Sequence, residues 1–276
     1  MFVEIVKGTQ VVLTTIKHRK SILEAVKYLS RLIAKGKWKV PIFGDGGTGK
    51  STLGTLLQGQ LDLTNPVPVY RSSIRREERR LPGEIPCIFL VAPGQKRFRE
   101  RTDEWTELFR VVTAAKSAAI INVVSYGYHS TELEYGAHDI YKTGMSEAEY
   151  LRAYLAYNQA GELDALRLLL PHAMAVKAKL WMITLVTKQD LWWNDRHDVA
   201  KYYIDEEKDY GRMIKALRNK LGAKSFKHEY FSASLISENL TSGDRKLIAP
   251  TCAGYDHHLR IANLNNFLTG LKDLLG

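Results

Sequence analysis

GDGGTGKS, at residues 44–51, matches the phosphate-binding pattern GxxxxGK[ST]. A strand-like run, KWKVPIF at residues 37–43, precedes it, and a helix-compatible run at residues 52–58 follows it. Glycine allows backbone conformations that a Cβ atom obstructs, so several N–H groups can point at a phosphate beside a helix N-terminus. We expect Lys50 to reach the β- and γ-phosphates and the Ser51 hydroxyl to bind Mg²⁺. The expected nucleotide-binding residues here are Gly44, Asp45, Gly46, Gly47, Thr48, Gly49, Lys50, Ser51 and Thr52.

The composition indicates a globular chain. Its 276 residues are 45% hydrophobic and 25% charged, which is enough for a sizeable core and argues against long disorder. The apolar N-terminal run contains Glu4, Lys7 and Gln10, which a secretory signal would lack, and no stretch reaches the roughly 18 apolar residues of a membrane span. Cys87 and Cys252 form no metal-binding spacing. The expected location is a reducing cytoplasm.

The net charge of +10 has three interpretations. Basic side chains concentrate at residues 71–80 and 96–101, a distribution that could bind nucleic acid by releasing counterions from its phosphates. The same clusters could form a phosphate-facing or partner-facing surface beside a bound nucleotide. A solvated basic face without a partner is the third interpretation.

Apolar runs alternate with helical patterns along the chain. We predict an α/β fold with a mostly parallel sheet covered by helices on both faces. Residues 1–36 are predicted to form an N-terminal amphipathic extension, and residues 61–91 are compatible with a hairpin that turns at residues 81–84. Predicted strands are residues 37–43, 85–91, 118–125, 180–186 and 229–232, and predicted helices are residues 20–35, 97–116, 199–221 and 261–275.

Residues 126–178 are long for one crossover between strands. Ser146 and Glu149 have the spacing of a capping box, which predicts a helix through about Gln159. Gly161 is expected to separate it from a second helical stretch at residues 162–178, which contains Pro171. Before these helices, Tyr126, Tyr128 and His129 follow a predicted strand, and they either line the nucleotide site or only cap that strand.

A second motif has the residues needed to bind the base of a nucleotide. Thr187-Lys188-Gln189-Asp190 directly follows a predicted buried strand and fits the pattern [NT]KxD. The Asp190 carboxylate can accept from the adjacent N1–H and amino groups of guanine, a donor pair that adenine lacks. The methylene stem of Lys188 can lie along the base. A surface turn is the alternative interpretation of these four residues.

With these motifs the chain resembles the Ras-like GTPases of the P-loop class, over about residues 37–276. The resemblance rests on the phosphate loop, on Pro93-Gly94-Gln95 as a switch, on residues 187–190, and on Ser232-Ala233-Ser234. It implies a P-loop NTPase architecture of about five or six strands, GTP or GDP with Mg²⁺ at the carboxyl ends of the strands, and a helical insertion at about residues 126–178. It also implies that a backbone N–H of the segment 232–234 meets guanine O6, which adds Ser232 and Ala233 to the expected nucleotide contacts.

The sequence departs from the family at one position. The family carries an aspartate that supports Mg²⁺ through water where this chain has Val91, which predicts a weaker metal site. Gln95 occupies the place of the glutamine that orients the attacking water. Ser72 or Ser73 has the family's spacing for a second hydroxyl ligand to Mg²⁺, and Ser73 is our choice. Arg71 or Arg75 could stabilise transition-state charge from within the chain.

These residues lead to the expectation of slow GTP hydrolysis, with Lys50 and Gln95 as the catalytic residues. The bound state would set the shape of residues 61–80 and 93–104, where a protein effector or regulator would bind. A pseudo-GTPase interaction module with little turnover is one alternative, because of Val91. A GTPase that binds nucleic acid is another, and an ATPase is the third if Asp190 lies away from the base.

Overall fold

The computed structural model describes the backbone and side chains over most of residues 40–275. The described residues are 40–57, 109–110, 113, 117–130, 133–177, 179–236, 239–241 and 247–275, together with the strand backbones at 77–80 and 88–91. The predicted N-terminal extension, residues 1–36, lies outside them, as does most of the predicted helix at 97–116.

A mixed six-stranded sheet forms the centre of the fold, in the order β2-β3-β1-β4-β5-β6. Each neighbouring pair from β3 to β6 is parallel, and β2 runs antiparallel to β3 at one edge. The mostly parallel sheet and the antiparallel pairing of the two arms of the predicted hairpin are therefore confirmed, while the predicted turn at residues 81–84 lies outside the described residues. The strands are β1 Val40–Gly44, β2 Glu77–Arg80, β3 Ile88–Val91, β4 Ser117–Val124, β5 Lys179–Val186 and β6 Phe226–Ser232.

The helices cover both faces of this sheet. They are α1 Lys50–Leu57, α2 Glu147–Met174, α3 Gln189–Trp192, α4 Arg196–Ile204, α5 Asp209–Leu221 and α6 His257–Leu275. Side chains alternate across each strand, so Ile42 packs on the face of α1 and α6 while its neighbour Phe43 packs on the face of α2, α4 and α5. The predicted α/β class, with helices on both faces, is confirmed.

The prediction that Gly161 separates two helices is wrong, because α2 continues through it for 28 residues. The capping box of Ser146 and Glu149 begins this helix as predicted. Glycine costs about 1 kcal/mol inside a helix, which tertiary contacts can offset. Here the missing side chain has a packing role, since a Cβ on Gly161 would lie 2.2 Å from Asp45 Oδ2 in the phosphate loop. Pro171 is tolerated within the last turn of α2.

The prediction of one helix over residues 199–221 is also wrong, because the helix is interrupted by a turn between the end of α4 at Ile204 and the start of α5 at Asp209. The Asp205 carboxylate accepts from the Glu207 N–H at 2.9 Å, and the Asp205 carbonyl accepts from the Lys208 N–H at 3.0 Å. A side chain that binds the backbone in this way competes with helix continuation. Gly211 then allows α5 to pack against the turn, since its Cβ would lie 2.2 Å from the Asp205 carbonyl oxygen.

A small two-stranded hairpin precedes the last helix. Its strands are β7 Leu240–Thr241 and β8 Leu247–Ala249, which pair antiparallel. The chain after β8 passes beside α3 before α6 begins. Among the described helices, none has both the length and the apolarity that crossing a lipid bilayer requires.

Candidate nucleotide-binding site

The phosphate loop joins β1 to α1, as the sequence predicts, and two of its glycines have no room for a side chain. Gly44 has a φ of +140°, and a Cβ there would lie 2.1 Å from the Val123 carbonyl oxygen. Gly47 has a φ of +75°, and its Cβ would lie 2.7 Å from the Ser130 carbonyl oxygen. Both the backbone conformation and the close packing therefore require glycine at these positions.

Lys50 is folded back against its own loop. Its side chain is 4% exposed, and Nζ donates to the Asp45 carbonyl at 2.5 Å. The Thr48 hydroxyl donates to the same carbonyl at 3.0 Å, and the Asp45 carboxylate accepts from the Gly46 N–H at 2.6 Å. An ammonium group carries three donors, so a lysine in this position can hold the loop and still bind a phosphate.

The predicted base-binding segment lies directly against the phosphate loop. The Thr187 hydroxyl contacts the Thr48 carbonyl at 2.6 Å and the Val124 carbonyl at 3.1 Å. Lys188 has the left-handed φ of +55°, and its Nζ donates to the Ser130 hydroxyl at 2.8 Å. Two motifs more than a hundred residues apart in sequence are thus in contact at the carboxyl ends of β1 and β5.

Asp190 is buried, with 1% of its surface exposed. Its carboxylate accepts from the Ser234 hydroxyl and, at 3.5 Å, from the Thr251 hydroxyl. Its carbonyl accepts from the Cys252 N–H at 2.7 Å. The fold therefore brings the buried Asp190 carboxylate beside the segment after β6 and beside Thr251.

The segment 232–234 lies next to residues 187–190. The Ser232 hydroxyl accepts from the Gln189 side chain at 2.9 Å. The Ala233 N–H donates to the Val186 carbonyl at 3.0 Å, because the β5–β6 pairing extends one residue beyond β6. This N–H faces the sheet, so the contact with guanine O6 that the resemblance assigns to this segment stays a prediction.

Several predicted site residues lie outside the described part of the chain. They include Gln95 and both serine candidates for Mg²⁺, Ser72 and Ser73, as well as the two switch segments 61–80 and 93–104 apart from the backbone of β2. Val91 is the last residue of β3, where it pairs with Ile42 of β1. The position without a carboxylate is therefore at the strand end next to the phosphate loop.

The described residues fit a phosphate ligand with a magnesium ion. Gly44, Gly47 and Gly49 have the positive φ values that a phosphate-wrapping loop requires, and Lys50 supplies a cation. Ser51, which is partly exposed in the first turn of α1, offers a hydroxyl of the kind that Mg²⁺ prefers. Within the described residues no group of three or more His, Cys, Asp or Glu side chains could hold a metal ion, so phosphate oxygens and water would have to complete the coordination.

Sequence reasoning missed the role of one carboxylate, Glu162 of α2. Glu162 is 1% exposed, and it holds the loop that follows β4, residues 125–130 with the sequence SYGYHS. Tyr154 and Asn158 contact the same loop, through the His129 and Gly127 carbonyls. The spacing of Tyr154, Asn158 and Glu162 by four residues was the available signal, because it places all three on one helix face.

The tyrosine hydroxyls around this loop stay protonated at neutral pH. Burial, and then the Glu162 charge, raise the pKa of Tyr203 well above its ordinary value. Burial raises the pKa of Tyr128 to about 12, with a smaller contribution from Asp195. Tyr203 is thus a reliable hydrogen-bond donor to Glu162.

Comparison with known proteins gives structural neighbours only. No protein-family model matches the chain, and no curated protein matches it. Similar solved structures include the signal recognition particle receptor SRb-GDP from Chaetomium thermophilum, with 14% identity over 72% of this chain and 89% of that chain at a TM-score of 0.36. The SRb-GTP/SRX complex from the same organism has 14% identity, coverage of 73% and 92%, and a TM-score of 0.40.

A third similar structure is an ADP-ribosylation factor-like GTP-binding protein, the small COPII coat GTPase SAR1 from Encephalitozoon cuniculi, in complex with GDP. It has 12% identity, covers 98% of this chain and 96% of that chain, and has a TM-score of 0.40.

Proposed function

We propose that this chain is a guanine-nucleotide-binding protein that hydrolyses GTP slowly and acts as a nucleotide-dependent switch. The observation that carries the proposal is the 2.6 Å contact between the Thr187 hydroxyl and the Thr48 carbonyl. It joins the segment predicted to hold the phosphates to the segment predicted to hold the base. One ligand of nucleotide size can engage both segments because they meet at the carboxyl ends of β1 and β5, two parallel strands that flank β4 in the sheet.

The residues of the chain have distinct roles in this proposal. When bound, GTP and Mg²⁺ supply the phosphoryl group and the cation that shields its charge. Lys50 and the N–H groups of the phosphate loop stabilise the charge that develops on the transferred group, and Ser51 is a metal ligand. We assign the orientation of the attacking water to Gln95. Turnover is slow because Val91 provides no carboxylate for the waters around the metal.

Base selection is assigned to Asp190. A carboxylate accepts from the two adjacent donors of guanine, and adenine presents no such pair. The Ser234 hydroxyl fixes the orientation of this carboxylate. Thr251 and Cys252 also contact Asp190, so we expect the chain at these two residues to shift when a base binds.

The position of Val91 favours a second candidate, a guanine-nucleotide-binding module with little or no turnover. Val91 is the last residue of β3 and pairs with Ile42 of β1. Ile42 lies two residues before Gly44, where the phosphate loop begins. Single-turnover hydrolysis of radiolabelled GTP, with and without Mg²⁺, separates the two candidates. A Mg²⁺-dependent release of phosphate supports the GTPase, and its absence supports the binding module.

Nucleotide binding itself is tested on the purified chain by chromatography of the retained nucleotide and by competition between GTP and ATP. We expect Lys50→Ala to abolish binding, because the loop loses its only buried lysine among the described residues. We expect Asp190→Asn to reduce the preference for GTP over ATP, since an amide cannot accept from both donors in the same way. Lys201→Ala, at an exposed position on α4, is the matched control. Binding that survives Lys50→Ala would contradict the proposal.

A further inference from the structure

A single carboxylate organises the loop after β4. Glu162 Oε1 accepts from the Ser125 N–H at 2.8 Å, the Gly127 N–H at 3.2 Å and His129 Nε2 at 3.0 Å. Its other oxygen accepts from the Tyr203 hydroxyl at 2.6 Å. A carboxylate that accepts from two backbone N–H groups and two side chains in this way is a strong and directional anchor.

The anchored loop is bent into a conformation that the backbone does not adopt readily. Tyr126 has a φ of +54° and Gly127 a φ of +83°. A left-handed conformation is costly for tyrosine, so the surrounding contacts must hold it. The Tyr203 hydroxyl accepts from the Tyr126 N–H at 2.9 Å, and the Gln159 side chain donates to the Tyr126 carbonyl at 3.3 Å.

The far end of the same loop contacts both nucleotide-binding segments. The Ser130 N–H donates to the Gly47 carbonyl at 3.3 Å, and the Ser130 hydroxyl accepts from Lys188 Nζ at 2.8 Å. The Ser130 backbone lies so close to Gly47 that a Cβ built on Gly47 would be 2.8 Å from the Ser130 nitrogen. A shift of this loop therefore displaces the phosphate loop and Lys188 together.

We infer that Glu162 is a positioning residue for the nucleotide site, acting through the loop 125–130 on Gly47 and Lys188. The inference rests on the proposed function and adds to it a residue of α2 that does not touch the ligand. Without the carboxylate, two loop N–H groups, His129 and the Tyr203 hydroxyl lose a common acceptor, and the loop holds Ser130 less firmly against Gly47 and Lys188. The phosphate loop then holds nucleotide less tightly, even where the fold is retained.

The test compares three substitutions in the full chain. Glu162→Gln keeps the shape but replaces one acceptor oxygen by an amide donor, which opposes the donors around it. Tyr203→Phe removes the hydroxyl that links Glu162 to the Tyr126 N–H. Tyr210→Phe is the matched control, because it removes an equally buried hydroxyl bonded to Asn122 and Thr184. The measurements are the dissociation rate of a fluorescent GDP analogue and the melting temperature without nucleotide.

We expect Glu162→Gln and Tyr203→Phe to release GDP about tenfold faster than the unchanged chain, as is typical when residues that support a binding site are removed. Tyr210→Phe should lower the melting temperature and leave the GDP dissociation rate near that of the unchanged chain. If Glu162→Gln does not fold, Tyr203→Phe decides the question. If Glu162→Gln and Tyr203→Phe both release GDP at the rate of the unchanged chain, or if Tyr210→Phe releases GDP as fast as they do, the inference about Glu162 is wrong and the proposed function still stands. Failure of the unchanged chain to bind any guanine nucleotide would overturn the proposed function as well.

Discussion

At the scale of single residues, Thr187 is the most informative side chain of the site. One hydroxyl contacts two buried carbonyls, those of Thr48 and Val124, in two separate elements. Thr187→Val keeps the shape and removes the hydroxyl donor from the buried Thr48 carbonyl, while the Val124 carbonyl still accepts from the Thr187 N–H at 2.8 Å. We expect a loss of about 1–3 kcal/mol in the free energy of unfolding and weaker binding of GDP. Urea unfolding and a fluorescence titration with GDP measure these two effects.

Two controls separate this contact from general damage. Thr187→Asn restores a donor, and the pattern [NT]KxD allows asparagine there, so this variant should bind GDP more tightly than Thr187→Val. Thr55→Val removes a partly buried hydroxyl that donates to the Ser51 carbonyl within α1 at 3.0 Å. Equal GDP affinity in Thr187→Val and Thr55→Val would show that the contact with Thr48 does not shape the site.

At the scale of elements, local patterns predicted most of the fold. The strands at 118–125 and 180–186 were found within one residue of β4 and β5, because buried parallel strands are short apolar runs. The capping box of Ser146 and Glu149 correctly marked the start of α2. These features depend on neighbouring residues only, so a single sequence is enough to recognise them.

Features that depend on distant partners could not be predicted in this way. The sequence predicts a helix end at Gly161, because the close approach of Gly161 to Asp45 involves a residue more than a hundred positions earlier. The motifs 44–51 and 187–190 predict two segments of a nucleotide site, and the structure brings these segments into contact. Glu162 and Ser130 follow no motif, and only the packing of α2 on the loop 125–130 shows what they hold.

Gly161 gives a prediction at this scale. Glycine to alanine in an exposed helix interior normally stabilises by about 1 kcal/mol. At Gly161 the new methyl group would meet the Asp45 carboxylate at 2.2 Å, and that carboxylate accepts from the Gly46 N–H. We therefore expect Gly161→Ala to displace the Asp45 carboxylate from the Gly46 N–H, to loosen the phosphate loop and to speed GDP dissociation several-fold. Stopped-flow fluorescence of bound GDP analogue measures this rate.

The control for this prediction is Gly136→Ala. A Cβ at Gly136 meets no heavy atom within 4 Å, so this variant should release GDP at the rate of the unchanged chain. If Gly161→Ala and Gly136→Ala release GDP at the same rate, the packing of α2 against Asp45 does not affect the phosphate loop. The comparison thus tests the helix contact independently of Glu162.

At the scale of the whole molecule, helices pack on both faces of the sheet. Histidine side chains buried by this packing make the free energy of unfolding depend on pH. His228 of β6 lies under this cover, where its Nε2 and the Thr184 hydroxyl are 2.9 Å apart. Burial lowers the pKa of His228 from 6.5 to about 4, and the nearby charge of Arg218 adds to the shift. The folded chain therefore keeps this imidazole neutral at pH values where the unfolded chain protonates it.

The sign of the pH dependence follows from this difference. Above pH 6.5 both states hold a neutral His228, and as the pH falls toward 4 only the unfolded state gains the proton. The free energy of unfolding should therefore decrease through that window, by up to about 3 kcal/mol from this residue. His228→Gln should flatten the decrease in urea unfolding measured across the window, without abolishing it, since burial also lowers the pKa values of His138 and His172. His197→Gln, at an exposed position on α4, is the control, and an equal pH dependence in both variants would show that His228 is protonated as readily in the folded chain as in water.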